Sequence, residues 1–321
     1  MDRPTVHELV KSSRFASLRV VDHIHTDPGR GRLYEVVDDQ EEGAGKSRRT
    51  ACRTRRCRDF ALRVYDVTYR ADTYGIDPYV LRQSQGLSLQ HPNLLTFYDI
   101  ELLFGTECRD VVTPECQTAY LLLLTELASG NLKDWLEVRR KRAPYGKLLQ
   151  LACDTVRGVA FLHAHGFVHR RLHPGNILLV ETPADPSKQN QGDNRTAKLG
   201  DFQDLASYCP KALPLRDEHS PYTSPELLYG YSTYSPSSDM WSVGIVLFEL
   251  LLGLGRTPFL DAAHDTRWFK SNQRKYVLSR IFQWLGTPDK AWRETYAGET
   301  DATEEAQVGG GFLARLPEFF P

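Results

Sequence analysis

The chain has 321 residues, of which 41% are hydrophobic and 25% are charged, and its 40 basic and 41 acidic side chains leave a net charge of −1. These values are typical of a globular protein with a sizeable core, and they exclude a collagen-like, wholly disordered or disulfide-scaffold chain. Because the net charge is close to zero, no overall field favours nucleic acid or a membrane surface as a partner.

The first 127 residues are predicted to be mostly β-strand, with one helix. Five short runs are rich in Val, Leu, Tyr and Phe, which is typical of strands. They cover Leu18–Asp22, Leu33–Asp38, Asp59–Asp66, Leu95–Phe104 and Thr118–Glu126. Asp77 is a helix N-cap followed by a proline suited to the first turn, so we predict a helix from there to Leu89.

Residues 39–58 are predicted to be an insert between two strands. Seven of its last 13 residues, Lys46 to Arg58, are Lys or Arg. Such a run is most often a solvated loop, and this is the reading we prefer. The alternative is a docking patch for an acidic partner or a phosphate backbone, although nucleic acid is not the partner we expect.

After Gly130 the apolar residues recur at helical spacing. One long helix is predicted from Leu148 to His163, a helix that is apolar on nearly every side from Asp239 to Leu252, and a third from Val277 to Leu285. Strands followed by helices predict an α+β protein with two lobes, residues 1–127 and 128–321.

Five motifs in the second lobe carry the functional information. In chain order they are GVAFLHAHGFVHRRLHPGNILLV from Gly158, KLGDFQDLA from Lys198, SPELLYG from Ser224, SDMWSVGIVLFELLLG from Ser238 and IFQWLGTPDKAW from Ile281. The first four resemble the catalytic loop, metal-binding loop, activation-segment end and central helix of eukaryotic protein kinases, and the last resembles the cyclin-dependent-kinase-like (CMGC) branch. The resemblance implies a bilobal kinase-like fold whose C-terminal lobe is incomplete at its end. It also implies ATP and Mg²⁺ as ligands, and the departures described below predict that they bind weakly.

By this resemblance, the first lobe would cover the nucleotide with an eroded glycine-rich loop. Gly31 would be the surviving glycine, while Thr26 and Pro28 stand at the other two glycine positions, where side chains keep the backbone away from phosphates. Ala61 would lie on the adenine. Arg63 would replace the phosphate-binding lysine, which keeps the charge but changes its shape.

The resemblance also assigns the adenine hinge and the metal ligands. The hinge would be formed by Thr125, Glu126 and Ala128, which follow an apolar strand. Asn176 and Asp201 stand at the two Mg²⁺ positions, and their oxygen atoms suit that ion.

Three positions depart from the chemistry of an active kinase. Arg171 stands where the catalytic aspartate is expected, and a guanidinium has no acceptor for a proton. His173 stands at the position of the catalytic-loop lysine. Arg82 stands at the position of a helix glutamate, which in the family forms an ion pair with the cation at the position of Arg63. Two arginines about 4 Å apart would repel by about 4 kcal/mol at an effective dielectric of about 20.

These departures predict a pseudokinase, that is, a nucleotide-pocket scaffold or regulator with absent or very weak phosphotransfer. The alternative is an active serine/threonine kinase with unorthodox residues, in which the His173 imidazole could accept the substrate proton. The sequence does not identify the protein partner.

The cellular location is predicted from the start of the chain and from its apolar segments. The first 15 residues lack the apolar core of a secretory signal, and the most apolar window, residues 243–254, is shorter than a membrane span. We therefore expect a cytoplasmic or nuclear protein with reduced cysteines and no membrane partner.

Overall fold

The computed structural model describes residues 4–27, 31–38, 59–68, 82–104, 118–139, 143–182, 193–208, 221–229, 234–252, 259 and 267–288. The basic insert 39–58, Pro28, the start of the helix predicted from Asp77 and the C-terminal residues 289–321 lie outside this part of the chain. Within the described ranges, no helix is both long and apolar enough to cross a membrane.

The first lobe is built on one antiparallel sheet of five strands, in the order β1-β2-β3-β5-β4. The strands are β1 Leu18–Asp27, β2 Gly31–Asp38, β3 Asp59–Thr68, β4 Phe97–Phe104 and β5 Thr118–Glu126. All five predicted strands are therefore confirmed, with ends that differ by at most a few residues.

The two faces of this sheet have different neighbours because strand residues alternate in direction. Leu62 and Val64 of β3 pack in a cluster with helix α1, Val6–Ser12, on the outer face. Ala61 and Arg63 point to the opposite face, which lines a large cleft.

Helix α1 was not predicted, although its first turn carries a clear start signal. The Thr5 side chain accepts a hydrogen bond from the Glu8 backbone N–H at 3.4 Å, and the Glu8 carboxylate accepts one from the Thr5 N–H at 2.7 Å. This capping box satisfies two backbone donors that a helix start otherwise leaves open.

Of the helix predicted from Asp77 to Leu89, the described part begins with Arg82 in a helical conformation and continues as a 3-10 helix, Gln83–Ser88. Its earlier residues lie outside the described ranges, so the beginning of this helix stays a prediction. A 3-10 helix has three residues per turn, so Gln83 and Gly86 lie on the same face, and both are buried. Any side chain at Gly86 would collide with the Phe97 ring, since a Cβ there would lie 2.5 Å from it. The tight packing under Gly86 thus fixes which residues of the turn face inward.

The second lobe is mainly helical, with three small strand pairings near the cleft. Its elements are β6 Gly130–Asn131, α2 Leu132–Arg139, α3 Tyr145–Ala164, β7 Phe167–Val168, β8 Ile177–Glu181, β9 Arg195–Leu199, β10 Ala206–Ser207, α4 Pro225–Tyr229, α5 Pro236–Leu252 and α6 Arg267–Leu285. The three predicted helices correspond to α3, α5 and α6. The expectation of an α+β protein with a β-rich and a helical lobe is confirmed.

Asp239, in the first turn of α5, anchors the loop that follows β7. Its side chain is fully buried, and its two oxygens accept hydrogen bonds from the backbone N–H groups of His169, at 2.8 Å, and Arg170, at 3.0 Å. The Tyr234 hydroxyl donates to it at 2.6 Å, and His163 Nε2 lies 2.9 Å from it. This network fixes the loop that carries the candidate site.

Candidate functional site

A cavity of about 960 Å³ lies between the sheet of the first lobe and the loops of the second. It brings together most of the residues that the sequence singled out. Those that line it are Ala61, Arg63, Thr125, Glu126, Ala128, Arg171, His173, Asn176 and Asp201. Gly31 and Arg82 are the two predicted site residues that do not line it.

The hinge end of the cavity is closed by β3 and β5. Ala61 pairs with Thr125 across these strands, and the buried Thr125 hydroxyl lies 3.5 Å from the Ala61 carbonyl oxygen. The Glu126 carboxylate accepts two hydrogen bonds from Lys198 Nζ, at 2.7 and 2.9 Å, and one from the Thr96 N–H at 2.6 Å. The Glu126 side chain therefore ties the hinge to β9, a role for Lys198 that the sequence analysis missed.

Gly31 has a packing role between β2 and β3. Its φ is +81°, in the left-handed region, and a Cβ atom there would lie 2.4 Å from the Val64 carbonyl oxygen. Only glycine combines this backbone conformation with so close an approach of β2 to β3.

Replacing Gly31 by alanine is expected to lower the free energy of unfolding by about 2 kcal/mol or more, since the left-handed backbone and the contact with Val64 both penalise a Cβ. Chemical denaturation measures this loss. Gly146→Ala is the control, because nothing lies within 4 Å of a Cβ there and its φ is ordinary. Equal stability of the two variants would contradict the packing role.

Arg63, Asp201 and Tyr65 line the same cavity. Tyr65 is 2% exposed. Burial raises the pKa of this phenol, the negative charge of Asp201 acts in the same direction, and the positive charge of Arg63 opposes them. The charges of Arg63 and Asp201 therefore both influence the buried phenol of Tyr65.

His169 joins the loop after β7 to the loop after β9 and is fully buried. Burial lowers the pKa of the ring, so it is neutral. One ring nitrogen, Nε2, lies 3.1 Å from the Gly200 carbonyl oxygen, and the other accepts from the Arg171 N–H at 3.3 Å. This arrangement uses both nitrogens within the fold.

Arg171 faces a carboxylate that the sequence analysis did not consider. Its Nη1 lies 3.7 Å from Asp204 Oδ2, and both side chains are largely buried, at 13% and 9% exposed. A short 3-10 helix, Phe202–Asp204, turns Asp204 towards it. The sequence feature that could have indicated this pair is Asp204 itself, an acidic residue three positions after Asp201. Its negative charge can balance the positive charge of Arg171.

His173 lines the cavity, and a local turn holds its ring. Nδ1 accepts a hydrogen bond from the Gly175 backbone N–H at 3.1 Å, which closes the turn at Pro174–Asn176. In the neutral ring this hydrogen bond places the ring proton on Nε2.

Asn176 and Asp201 fit a magnesium ion by their chemistry. Asn176 is 2% exposed, and its Nδ2 donates to the Arg171 carbonyl at 2.9 Å, so its amide oxygen is the atom that can ligate. Asp201 contributes a carboxylate from the start of the metal-binding loop. Two oxygen ligands that line one cavity suit Mg²⁺.

The 3-10 turn brings Gln83 to the cavity in place of Arg82. Gln83 lines the cavity and its Nε2 donates to Asp201 Oδ1 at 3.1 Å, whereas Arg82 precedes the turn and lies outside the lining. The assignment of Arg82 to the position of the helix glutamate stays a prediction, and the observed contact with Asp201 is made by its neighbour Gln83.

Comparison with known proteins gives one consistent family. Residues 51–306 match the protein kinase domain. The chain is 29% identical to cyclin-dependent kinase 7 of Xenopus laevis over 275 residues, which cover 82% of this chain and 65% of that protein. It is 30% identical to cyclin-dependent kinase B1-1 of Arabidopsis thaliana over 272 residues, covering 82% of this chain and 75% of that protein.

A solved structure shares the fold. It is MAP kinase LmaMPK10 from Leishmania major, with a TM-score of 0.59, 20% sequence identity, and coverage of 91% of this chain and 68% of that one. The chain thus spans about two thirds of the length of the Xenopus relative and of this structural neighbour.

Proposed function

Because the chain belongs to the protein kinase family, we propose that it uses the family's nucleotide cleft as a scaffold or regulator, with absent or very weak phosphotransfer. In this reading ATP is a ligand that stabilises one conformation. The protein acts by presenting that conformation to a partner.

The observation that carries this proposal is the ion pair between Arg171 and Asp204 at the place of the catalytic base. Phosphoryl transfer to a hydroxyl needs a group that accepts its proton, and such a group typically contributes 10² to 10⁴-fold. Protein kinases turn over at about 1–100 per second, so loss of the base alone leaves at most about 1 per second.

Nucleotide binding is supported by the parts of the cleft that remain. The hinge, Arg63 and the pair Asn176 and Asp201 all line one cavity. A bound Mg²⁺ would neutralise charge on the phosphate oxygens. Around it, Asn176 and Asp201 would supply oxygen ligands, and Arg63 a fixed positive charge.

The alternative, an active kinase with unorthodox residues, has one observation in its favour. Asp204 lines the cavity and is a carboxylate, which can accept a proton. Asp204→Asn separates the two readings: it would abolish transfer in an active enzyme, and it would leave the background rate of a scaffold unchanged.

A thermal-shift titration with ATP, with and without Mg²⁺, tests nucleotide binding. At ten times its Kd a ligand stabilises the folded state by about 1.4 kcal/mol, so the melting temperature should rise with ATP concentration. A larger rise with Mg²⁺ is expected for the wild type than for Asp201→Ala. No shift at millimolar ATP would contradict the nucleotide part of the proposal.

A further inference from the structure

Gln83 connects the 3-10 turn to the metal-binding loop with both ends of its amide. Nε2 donates to Asp201 Oδ1 at 3.1 Å, and Oε1 accepts from the backbone N–H of Phe202 at 3.1 Å. The side chain is only 2% exposed. Since both ends are used at once, a flipped amide would lose both hydrogen bonds.

The backbone that Gln83 holds is in an uncommon conformation. Asp201 has φ 61° and ψ 68°, in the left-handed region, and is one of two non-glycine residues with positive φ in the described part of the chain. Such a conformation persists where surrounding contacts determine it. Gln83 supplies two of those contacts, one to the Asp201 side chain and one to the next peptide group.

The same contact determines how the Asp201 carboxylate is presented. Gln83 engages Oδ1 and so fixes the orientation in which the Asp201 carboxylate would meet a cation. Hydrogen bonds from a second layer of residues orient metal ligands and typically alter metal affinity by 10 to 100-fold when they are removed. A neutral amide provides this orientation without adding a positive charge that would compete with the metal.

We propose that Gln83 is a positioning residue for the metal site: it holds Asp201 so that a divalent cation meets a preset carboxylate. The inference rests on the proposed function for the assignment of Asn176 and Asp201 as metal ligands. It differs from that function because it concerns the cation alone and requires no nucleotide.

The test measures Mn²⁺ binding by electron paramagnetic resonance of the free ion, because Mn²⁺ takes the same oxygen ligands as Mg²⁺. Gln83→Met keeps the length of the side chain and removes both hydrogen bonds. It should bind Mn²⁺ at least about tenfold more weakly than the wild type. Gln85→Met, the same substitution two residues along in the same 3-10 helix, is the matched control and should stay within about twofold of the wild type.

Gln83→Asn is the second variant. It keeps the polar amide, which favours folding, but is too short to reach both Asp201 and Phe202, so it should show the same loss of Mn²⁺ affinity. ATP affinity measured in EDTA should be unchanged by either variant, because no cation takes part. If Gln83 had only a structural role, its variants would lower the affinity for Mn²⁺ and the affinity for ATP together.

Two results would overturn the inference: Mn²⁺ affinity of both Gln83 variants equal to that of the wild type, or no saturable Mn²⁺ binding by the wild type. Failure of the proposed function has a different signature. It would be seen as no ATP binding by the wild type in either buffer, while the dependence of Mn²⁺ binding on Gln83 persists.

Discussion

The Arg171→Asp variant is expected to stay at the background rate of phosphotransfer and to unfold more readily than the wild type. The substitution restores a carboxylate at the base position, but it removes the guanidinium that lies 3.7 Å from Asp204 and leaves two carboxylates in one cleft. Removing one partner of a buried ion pair typically costs about 3–5 kcal/mol, and partial solvation of the cleft reduces the expected loss to about 2 kcal/mol.

Other departures remain in this variant. His173 still offers a donor where the family has a lysine, and Gln83 gives no negative charge to Arg63. Members of one catalytic unit act non-additively, so a single repair recovers little. ATP affinity should also fall, because a cation that faces the phosphates has been exchanged for an anion.

The measurements are radiolabelled transfer to a serine/threonine peptide, ATP affinity, and chemical denaturation. Arg171→Asp combined with Asp204→Asn is the control, since it removes the repulsion and should recover most of the lost stability without restoring transfer. Turnover near 1 per second in the single variant would show that the other departures are tolerated.

Asp239→Ala is expected to cause the largest loss of stability, about 3–5 kcal/mol. The carboxylate is fully buried and binds four groups, and its removal leaves the N–H groups of His169 and Arg170 and the Tyr234 hydroxyl without their acceptor. Because a domain is typically stable by only about 5–15 kcal/mol, the variant should melt at a much lower temperature.

Met240→Ala is the control for this prediction, because Met240 is the next residue on α5 and is 47% exposed. It should change stability by less than about 1 kcal/mol. A stable Asp239→Ala protein with an ordered nucleotide cleft would show that the loop is held by other contacts.

The same carboxylate gives stability a defined dependence on pH. Burial alone would raise the pKa of Asp239, but hydrogen bonds from His163, Tyr234 and the His169 backbone more than offset it and hold the pKa below its ordinary value of 3.8. The contribution of Asp239 is therefore present above that value and is lost as the pH falls through the lower pKa of the folded state. Asp239→Asn should abolish this part of the acid sensitivity.

Much of the fold could be predicted from the sequence because its patterns are local. The strands of the first lobe and helices α3 and α5 follow from apolar period and residue type alone. Asn176 and Asp201 were placed in one cleft by the resemblance of their motifs to the protein kinase family, and both line the cavity. Helix α1 could have been found from its capping box, Thr5 with Glu8.

The rest depended on contacts between distant segments. The contact of Gln83 with Asp201 depends on a 3-10 helix in which Gly86 packs against Phe97. The role of Gly31 depends on how closely β2 approaches Val64. Asp204 can pair with Arg171 only because the fold brings its loop beside a residue that lies 33 positions earlier in the sequence.

The most direct test of the account is to measure ATP binding and phosphate transfer on one sample of purified protein. Radiolabelled ATP with Mg²⁺ and a serine/threonine peptide gives the transfer rate, and equilibrium binding of the same nucleotide gives its occupancy. The account predicts saturable ATP binding with transfer at background. Turnover of about 1 per second or faster that disappears in Asp201→Ala would contradict it, since the pair of Arg171 with Asp204 would then be compatible with catalysis.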